Sequence, residues 1–132
     1  MEIYEIFNEL RKMNNGEDKA KVLLDNDSLA LRTLMRLNFD KNIKLNVSKD
    51  IKYRAAARHD VISTLAKETR NYARLTDLTL SREMSNNRFR TILESLDPKE
   101  AKILFAAMNK DLRMRGLSRK LAIEVWGDKI FN

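Results

Sequence analysis

Glycine and proline are scarce in this chain, and their scarcity constrains the fold more than any other feature. Only three glycines and one proline occur in 132 residues. Sheet-rich folds need frequent Gly and Pro turns, and doubly wound folds need glycine loops, so both classes are disfavoured. We therefore predict an all-α protein. The length is typical of one domain with one core, so we expect a single compact domain over residues 1–132.

Apolar residues recur at helical spacing along most of the chain, which predicts about six or seven helices. Residues 39–53 are the exception, because their partial period-two alternation fits either a short strand or an irregular segment. The predicted helices cover 2–13, 17–25, a segment capped by Asp27 or Ser28, 61–76, 81–95, a segment from Pro98 to the turn at Gly116, and a segment after Ser118.

Residues 97–100 read Asp-Pro-Lys-Glu and carry the clearest local signal. An Asp cap, a Pro in the first turn and a Glu three residues after the cap predict a helix start with a capping box. Gly116 is predicted to end this helix in a left-handed conformation, and Ser118 to cap the next one. We expect Trp126 to anchor that last helix in the core.

The residue types that build common active sites are absent or isolated. The chain has no Cys, and its single His59 suits a solvated or capping role. The three glycines are far apart, so no phosphate-binding glycine loop is present. We therefore predict no catalytic residues, no metal site and no cofactor. An enzyme is the least favoured of the functional hypotheses.

The sequence also lacks signals for a membrane or for export. No run of about 18 apolar residues occurs, so we expect no membrane-spanning helix. Glu2 and Glu5 lie where a signal peptide needs positive charge. We therefore expect a cytoplasmic protein.

The formal net charge of +7 is concentrated in two segments. Residues 52–90 hold nine basic and four acidic residues, and residues 99–120 hold seven basic and two acidic ones. Residues 1–51 hold nine of each and are neutral. Clustered basic charge is typical of nucleic-acid binding. The alternative is a basic helical surface that is simply solvated.

In the first basic segment, Lys67, Arg70 and Arg74 fall on one face of the predicted helix. Such a stripe could follow a phosphate backbone, and Arg54 and Arg58 could extend it. Aromatic residues are not interleaved with these cations as they are in single-strand binders, which favours duplex DNA.

In the second basic segment, a predicted turn at Gly116 is followed by a helix whose first turn holds Arg119 and Lys120. Cations oppose the helix dipole there, which points to an anionic partner at the free amides. The candidate DNA contacts are Lys67, Arg70, Arg74, Lys110, Arg113, Arg115, Gly116, Ser118, Arg119 and Lys120.

A resemblance to a known family rests on several of these residues. The C-terminal part of the pattern consists of Lys110-Asp111-Leu112-Arg113, Gly116-Leu117-Ser118, Ala122 and Val125-Trp126. The N-terminal part consists of residues 6–10, 27–32 and 34–39. Together they resemble the N-terminal DNA-binding domain of ATP-dependent DNA ligases, especially those of T-even-type phages. The resemblance implies an all-α fold and contacts to the duplex backbone, largely across the minor groove. It points to Arg113, Gly116, Ser118, Arg119 and Lys120.

A ligase also needs a Lys-x-Asp-Gly adenylation motif, and this sequence has none. We therefore expect a stand-alone, non-catalytic module that binds nicked or intact duplex DNA through phosphates with little sequence specificity. The alternative is a protein-interaction adaptor or inhibitor that reuses the ligase-like fold. Its partners would be host or phage proteins of replication, transcription or defence.

Overall fold

Helices provide all the regular structure in the computed structural model, which describes residues 1–131. This range contains seven α-helices and no strand, which confirms the all-α prediction. The segment between α3 and α4 is irregular apart from the 3-10 turn Arg58–Asp60. The helices are α1 (Ile3–Lys12), α2 (Gly16–Asp25), α3 (Leu29–Phe39), α4 (Thr69–Ala73), α5 (Arg82–Ser95), α6 (Pro98–Met108) and α7 (Arg119–Trp126).

One hydrophobic core joins these helices, with α3 and α6 at its centre. Leu34, Leu104 and Phe89 are fully buried there, on α3, α6 and α5. Burying one such side chain stabilises the fold by about 1.5 to 3 kcal/mol relative to leaving it in water. Tyr72 is also fully buried, and burial raises the pKa of its hydroxyl to about 12.

Polar side chains cap the starts of α2, α3, α5 and α7, and at α5 the Ser81 hydroxyl accepts from the Met84 amide. The Ser28 and Ser118 hydroxyls accept hydrogen bonds from the backbone amides three residues later, and the Asn15 side chain does the same at α2. Each bond satisfies one of the free amides of a first helical turn. The caps predicted at Ser28 and Ser118 are confirmed. At the other end of α7, the Trp126 indole donates to Asp27 at 3.0 Å and so joins α7 to the start of α3.

Only one of the two hydrogen bonds of the capping box predicted for α6 is present, so the prediction is wrong for the other. Asp97 caps the helix through the Lys99 amide, but the Glu100 side chain does not turn back to the cap. Its two carboxylate oxygens accept from the backbone amides of Leu65, at 3.0 Å, and Tyr4, at 3.4 Å. Glu100 is only 2 % exposed, so this buried carboxylate connects α6 to α1 and to the segment before α4.

Glu100 makes the stability of the fold depend on pH. Burial raises the pKa of its carboxyl above the usual range. The folded protein therefore holds this proton at higher pH than the unfolded chain does. Above about pH 4.5 we expect the contribution of Glu100 to the free energy of unfolding to fall as the pH rises, until the folded-state pKa is passed.

Urea unfolding between pH 4 and pH 7 measures this slope. Glu100→Gln should flatten it, and should also destabilise the fold by about 1 to 3 kcal/mol, because an amide has only one acceptor oxygen for two backbone donors. A wild-type slope retained in the Glu100→Gln variant would rule out this assignment.

The helix predicted over 61–76 is wrong for its first half, since α4 covers only Thr69–Ala73. The backbone amides of Ile62 and Ser63 donate to the Ser95 carbonyl at 3.0 and 3.1 Å, and the Leu65 amide donates to Glu100. In a helix over 61–76 the Leu65 amide would bond to the Val61 carbonyl, so its bond to Glu100 competes with that helix. The three long-range bonds together hold the segment against α5 and α6.

Candidate nucleic-acid interface

The helix predicted to run from Pro98 to Gly116 ends at Met108, and residues 109–118 form an irregular segment that we call the basic loop. Lys110 redirects the chain, because it adopts a positive φ of 55°. Its ammonium donates to the Leu37 and Asp40 carbonyls at the end of α3, both at 2.7 Å. Burial lowers the pKa of this amine. Since Lys110 is occupied within the fold, we do not place it among the DNA contacts.

Asn38 of α3 holds the next part of the basic loop. Its side-chain oxygen accepts from the Leu112 amide at 2.9 Å, and its side-chain amide donates to the Leu112 carbonyl at 3.2 Å. Both Asn38 and Leu112 are buried, and Leu117 is buried at the far end of the loop. The loop is therefore fixed at both ends, with Arg113 and Arg115 exposed between the two leucines.

We expect Asn38→Leu to destabilise the protein by about 2 to 5 kcal/mol. The substitution leaves the buried amide and carbonyl of Leu112 without partners, and each unsatisfied group costs about 1 to 3 kcal/mol. Urea unfolding followed by circular dichroism measures the change. Asn42→Leu, at an exposed position four residues later, is the control and should change stability by less than about 0.5 kcal/mol. Equal losses in the two variants would contradict the assigned role of Asn38.

Arg113 forms an ion pair with Asp111 on the outside of the basic loop. Its Nε lies 2.6 Å from the Asp111 Oδ1, and the two side chains are 88 % and 59 % exposed. An exposed pair of this kind contributes about 0 to 1 kcal/mol, so it is easily exchanged for a stronger anion. Arg113 is thus oriented by the pair and remains available to a ligand.

A cleft of about 810 Å³ separates the basic loop from the turn between α1 and α2, and we call it the basic cleft. It is lined by four cations, Arg11, Lys19, Arg113 and Arg115, and its lining holds no carboxylate. The asparagines of the turn, Asn14 and Asn15, and the glycines Gly16 and Gly116 complete much of the wall. Such a cavity, lined by four cations and no carboxylate, concentrates anions.

Gly116 and Lys19 fit closely together in the wall of the basic cleft. Gly116 has a φ of +81°, as the sequence predicted, although it ends a loop rather than a helix. A Cβ at this position would lie 2.7 Å from the Lys19 Cε. The Lys19 ammonium is pinned by hydrogen bonds of 2.7 and 2.9 Å to the Leu10 and Met13 carbonyls at the end of α1. Glycine is therefore required here for both conformation and space.

A second, smaller cleft of about 270 Å³ continues the positive surface from the first. Both clefts are lined by Arg11 and Arg113, and the second adds Lys99 and Lys102 of α6. Asp111, the partner of Arg113, is the one acidic residue in its lining. We call the exposed cations of the two clefts the basic face: Arg11, Lys99, Lys102, Arg113 and Arg115.

Three members of the basic face were not singled out from the sequence. Arg11 belongs to the electrically neutral first third, and only the tertiary packing of α1 brings it beside the basic loop. Lys99 and Lys102 lie three residues apart on α6, which places them on one helix face. That spacing was a usable signal.

The stripe predicted for Lys67, Arg70 and Arg74 does not form, because the three residues do not share a helix. Lys67 lies in the turn before α4. Arg70 lines a cleft with Arg36 on the α3 side, whereas Arg74 follows α4 and lines a different groove. All three are exposed, and Arg70 and Arg74 line different clefts.

Arg119 and Lys120 are exposed in the first turn of α7, as predicted, and Ser118 caps that turn. Neither cation lines the basic cleft. The Arg119 guanidinium instead lies 4.9 Å from the centre of the Phe131 ring, a cation–π contact that holds it against the fold.

Within residues 1–131, no helix has both the length and the apolar character needed to cross a membrane. Among the same residues, no group of three or more His, Asp or Glu side chains is placed to hold a metal ion. The two clefts of the basic face bring together five exposed cations and one carboxylate.

In comparisons with known proteins, no family model, no curated protein and no solved structure matches this chain.

Proposed function

We propose that this protein is a non-catalytic module that binds double-stranded DNA by contacting phosphates with its basic face. The observation that carries the proposal is the convergence of five exposed cations from α1, α6 and the basic loop, with one carboxylate among them. Lys and Arg contacts to phosphates supply most of the affinity in non-specific DNA binding. The anchoring of the basic loop supports the proposal further, since preformed contacts lose little conformational entropy on binding.

The basic face favours phosphates over bases. Tyr4 is the aromatic residue that lines it, and this side chain is half-buried beneath Lys99, whose ammonium lies 5.1 Å from the ring centre. Single-strand binders instead offer free aromatic rings on which bases stack. We therefore propose a preference for duplex over single-stranded DNA, with little dependence on sequence.

Fluorescence anisotropy with a labelled 20-base-pair duplex at about 50 mM salt tests this proposal. We expect binding to two unrelated duplex sequences with affinities within about threefold of each other, and weaker binding to the matching single strand. Failure to bind either duplex at this salt concentration would reject the function.

A protein-interaction adaptor is the second candidate, and a different surface favours it. A groove of about 790 Å³ between α5 and the segment around α4 is lined by Ile62 and Met84, which are 79 % and 47 % exposed. Exposed apolar side chains beside mixed charges are typical of protein contacts. Stoichiometric capture of one protein after nuclease treatment, lost in Ile62→Ser/Met84→Ser, would favour this function over DNA binding.

The resemblance to the ligase DNA-binding domain stays a prediction. Two of the residues it points to, Arg113 and Gly116, lie in the basic cleft, while Arg119 and Lys120 do not line it. If the family relationship holds, the duplex should also contact the start of α7.

A further inference from the structure

Lys19 is a buried cation without an acidic partner. The residue is 4 % exposed, and among the described residues no carboxylate forms an ion pair with it. The Leu10 and Met13 carbonyls at the negative end of α1 stabilise its ammonium. These carbonyls carry only partial charges and do not neutralise the ammonium, so Lys19 adds positive charge to the lining of the basic cleft.

The shape of the basic cleft differs from what a regular DNA backbone needs. Internal phosphodiesters lie along the convex outside of a duplex and carry one negative charge each. The basic cleft is concave, its volume is about 810 Å³, and four cations converge on it without a carboxylate in its lining. A group that fits this site should protrude from its carrier and carry more than one negative charge.

We propose that the basic cleft binds a terminal phosphomonoester of a DNA strand. A phosphomonoester carries about 1.5 to 2 negative charges at pH 7 and three acceptor oxygens. Arg113 and Arg115 would bind it directly by charge-assisted hydrogen bonds, which are the strongest that side chains form. Lys19 would contribute mainly through its charge, because two of its three N–H donors already serve α1. This inference rests on the proposed DNA-binding function and adds a preference for phosphorylated strand ends.

The experiment uses hairpin duplexes with a single open end, because each then has one 5′ and one 3′ terminus. Three versions are compared: a 5′-phosphate, a 3′-phosphate, and hydroxyls at both positions. Affinities are measured by anisotropy for the wild type, for Arg115→Gln and for Lys102→Gln. Arg115 lines the basic cleft, whereas Lys102 lines only the neighbouring one, so the two variants lose the same charge at different places.

We expect the wild type to bind one phosphorylated hairpin about tenfold more tightly than the hydroxyl hairpin, and the two phosphate positions identify which terminus is bound. Arg115→Gln should reduce this ratio to about one. Lys102→Gln should weaken binding to every hairpin while keeping the ratio, since its effect is on internal phosphates. A further addition of inorganic phosphate at millimolar concentration should lower the ratio in the wild type.

Three results would overturn the inference. If the wild type binds all three hairpins equally, the terminal-phosphate site is absent while the DNA-binding function stands. If both variants lose the preference to the same extent, the preference reflects overall charge and no specific cleft. If no hairpin binds at all, the DNA-binding function fails as well.

Discussion

Replacing Arg113 and Arg115 together by glutamine is expected to weaken duplex binding by about 150-fold. Both guanidinium groups lie on the anchored basic loop and are exposed. Arg113 lines both clefts, whereas Arg115 lines the basic cleft alone. A hydrogen bond to a charged group contributes about 1.5 to 3 kcal/mol, and exposure to water places these two at the low end. The two losses of free energy add to about 3 kcal/mol. Since 1.4 kcal/mol corresponds to a factor of ten in the equilibrium constant, the affinity falls by about 150-fold.

The matched control is Lys67→Gln/Arg74→Gln, which removes the same charge from the positions that the sequence alone favoured. Both residues are exposed but lie outside the basic face, so we expect affinity to fall by less than about threefold. Neither double variant should change the unfolding midpoint appreciably, because all four side chains are solvated. A larger loss of affinity in the control than in the Arg113/Arg115 variant would move the interface to the α4 region.

Gly116→Ala is expected to destabilise the protein by about 3 kcal/mol and to weaken DNA binding as well. The left-handed conformation costs a non-glycine residue about 1 to 2 kcal/mol. The new Cβ would also meet the Lys19 Cε at 2.7 Å, and Lys19 cannot move aside without losing its bonds to Leu10 and Met13. The expected loss is smaller than the stability of a typical domain, so the variant should still fold.

Gly16→Ala is the control for this prediction. Gly16 lines the same cleft, but an added Cβ there meets nothing within 4 Å, and the position begins α2. We expect its stability to be unchanged or slightly increased, because alanine is the better helix former. Urea unfolding of both variants gives the comparison, and equal stabilities would show that the contact between Gly116 and Lys19 is not strained.

The sequence predicted the parts of the fold that depend on nearby residues. Ser28 and Ser118 cap helices because a hydroxyl reaches an amide three residues away, and the left-handed Gly116 follows from local backbone sterics. The helix errors arose where a distant group competes for the backbone. Glu100 takes the Leu65 amide across 35 residues, and Asn38 takes the Leu112 amide across 74.

The candidate site was only half predictable for the same reason. Arg113 and Arg115 were found because their segment is basic in itself. Arg11 comes from a segment with no net charge, and only the packing of α1 against α2 and α6 places it beside them. The charge sum along the chain also suggested Lys67, Arg70 and Arg74, which the short α4 separates onto different surfaces.

The dependence of duplex affinity on salt concentration tests the central claim most directly. Each phosphate contact adds about 0.9 to the magnitude of the slope of log K against log salt on B-DNA. With the five cations of the basic face engaged, we expect a slope of about −4 to −5, and about −2 to −3 for Arg113→Gln/Arg115→Gln. A slope near zero, or the same slope in the wild type and this variant, would contradict phosphate binding by the basic face.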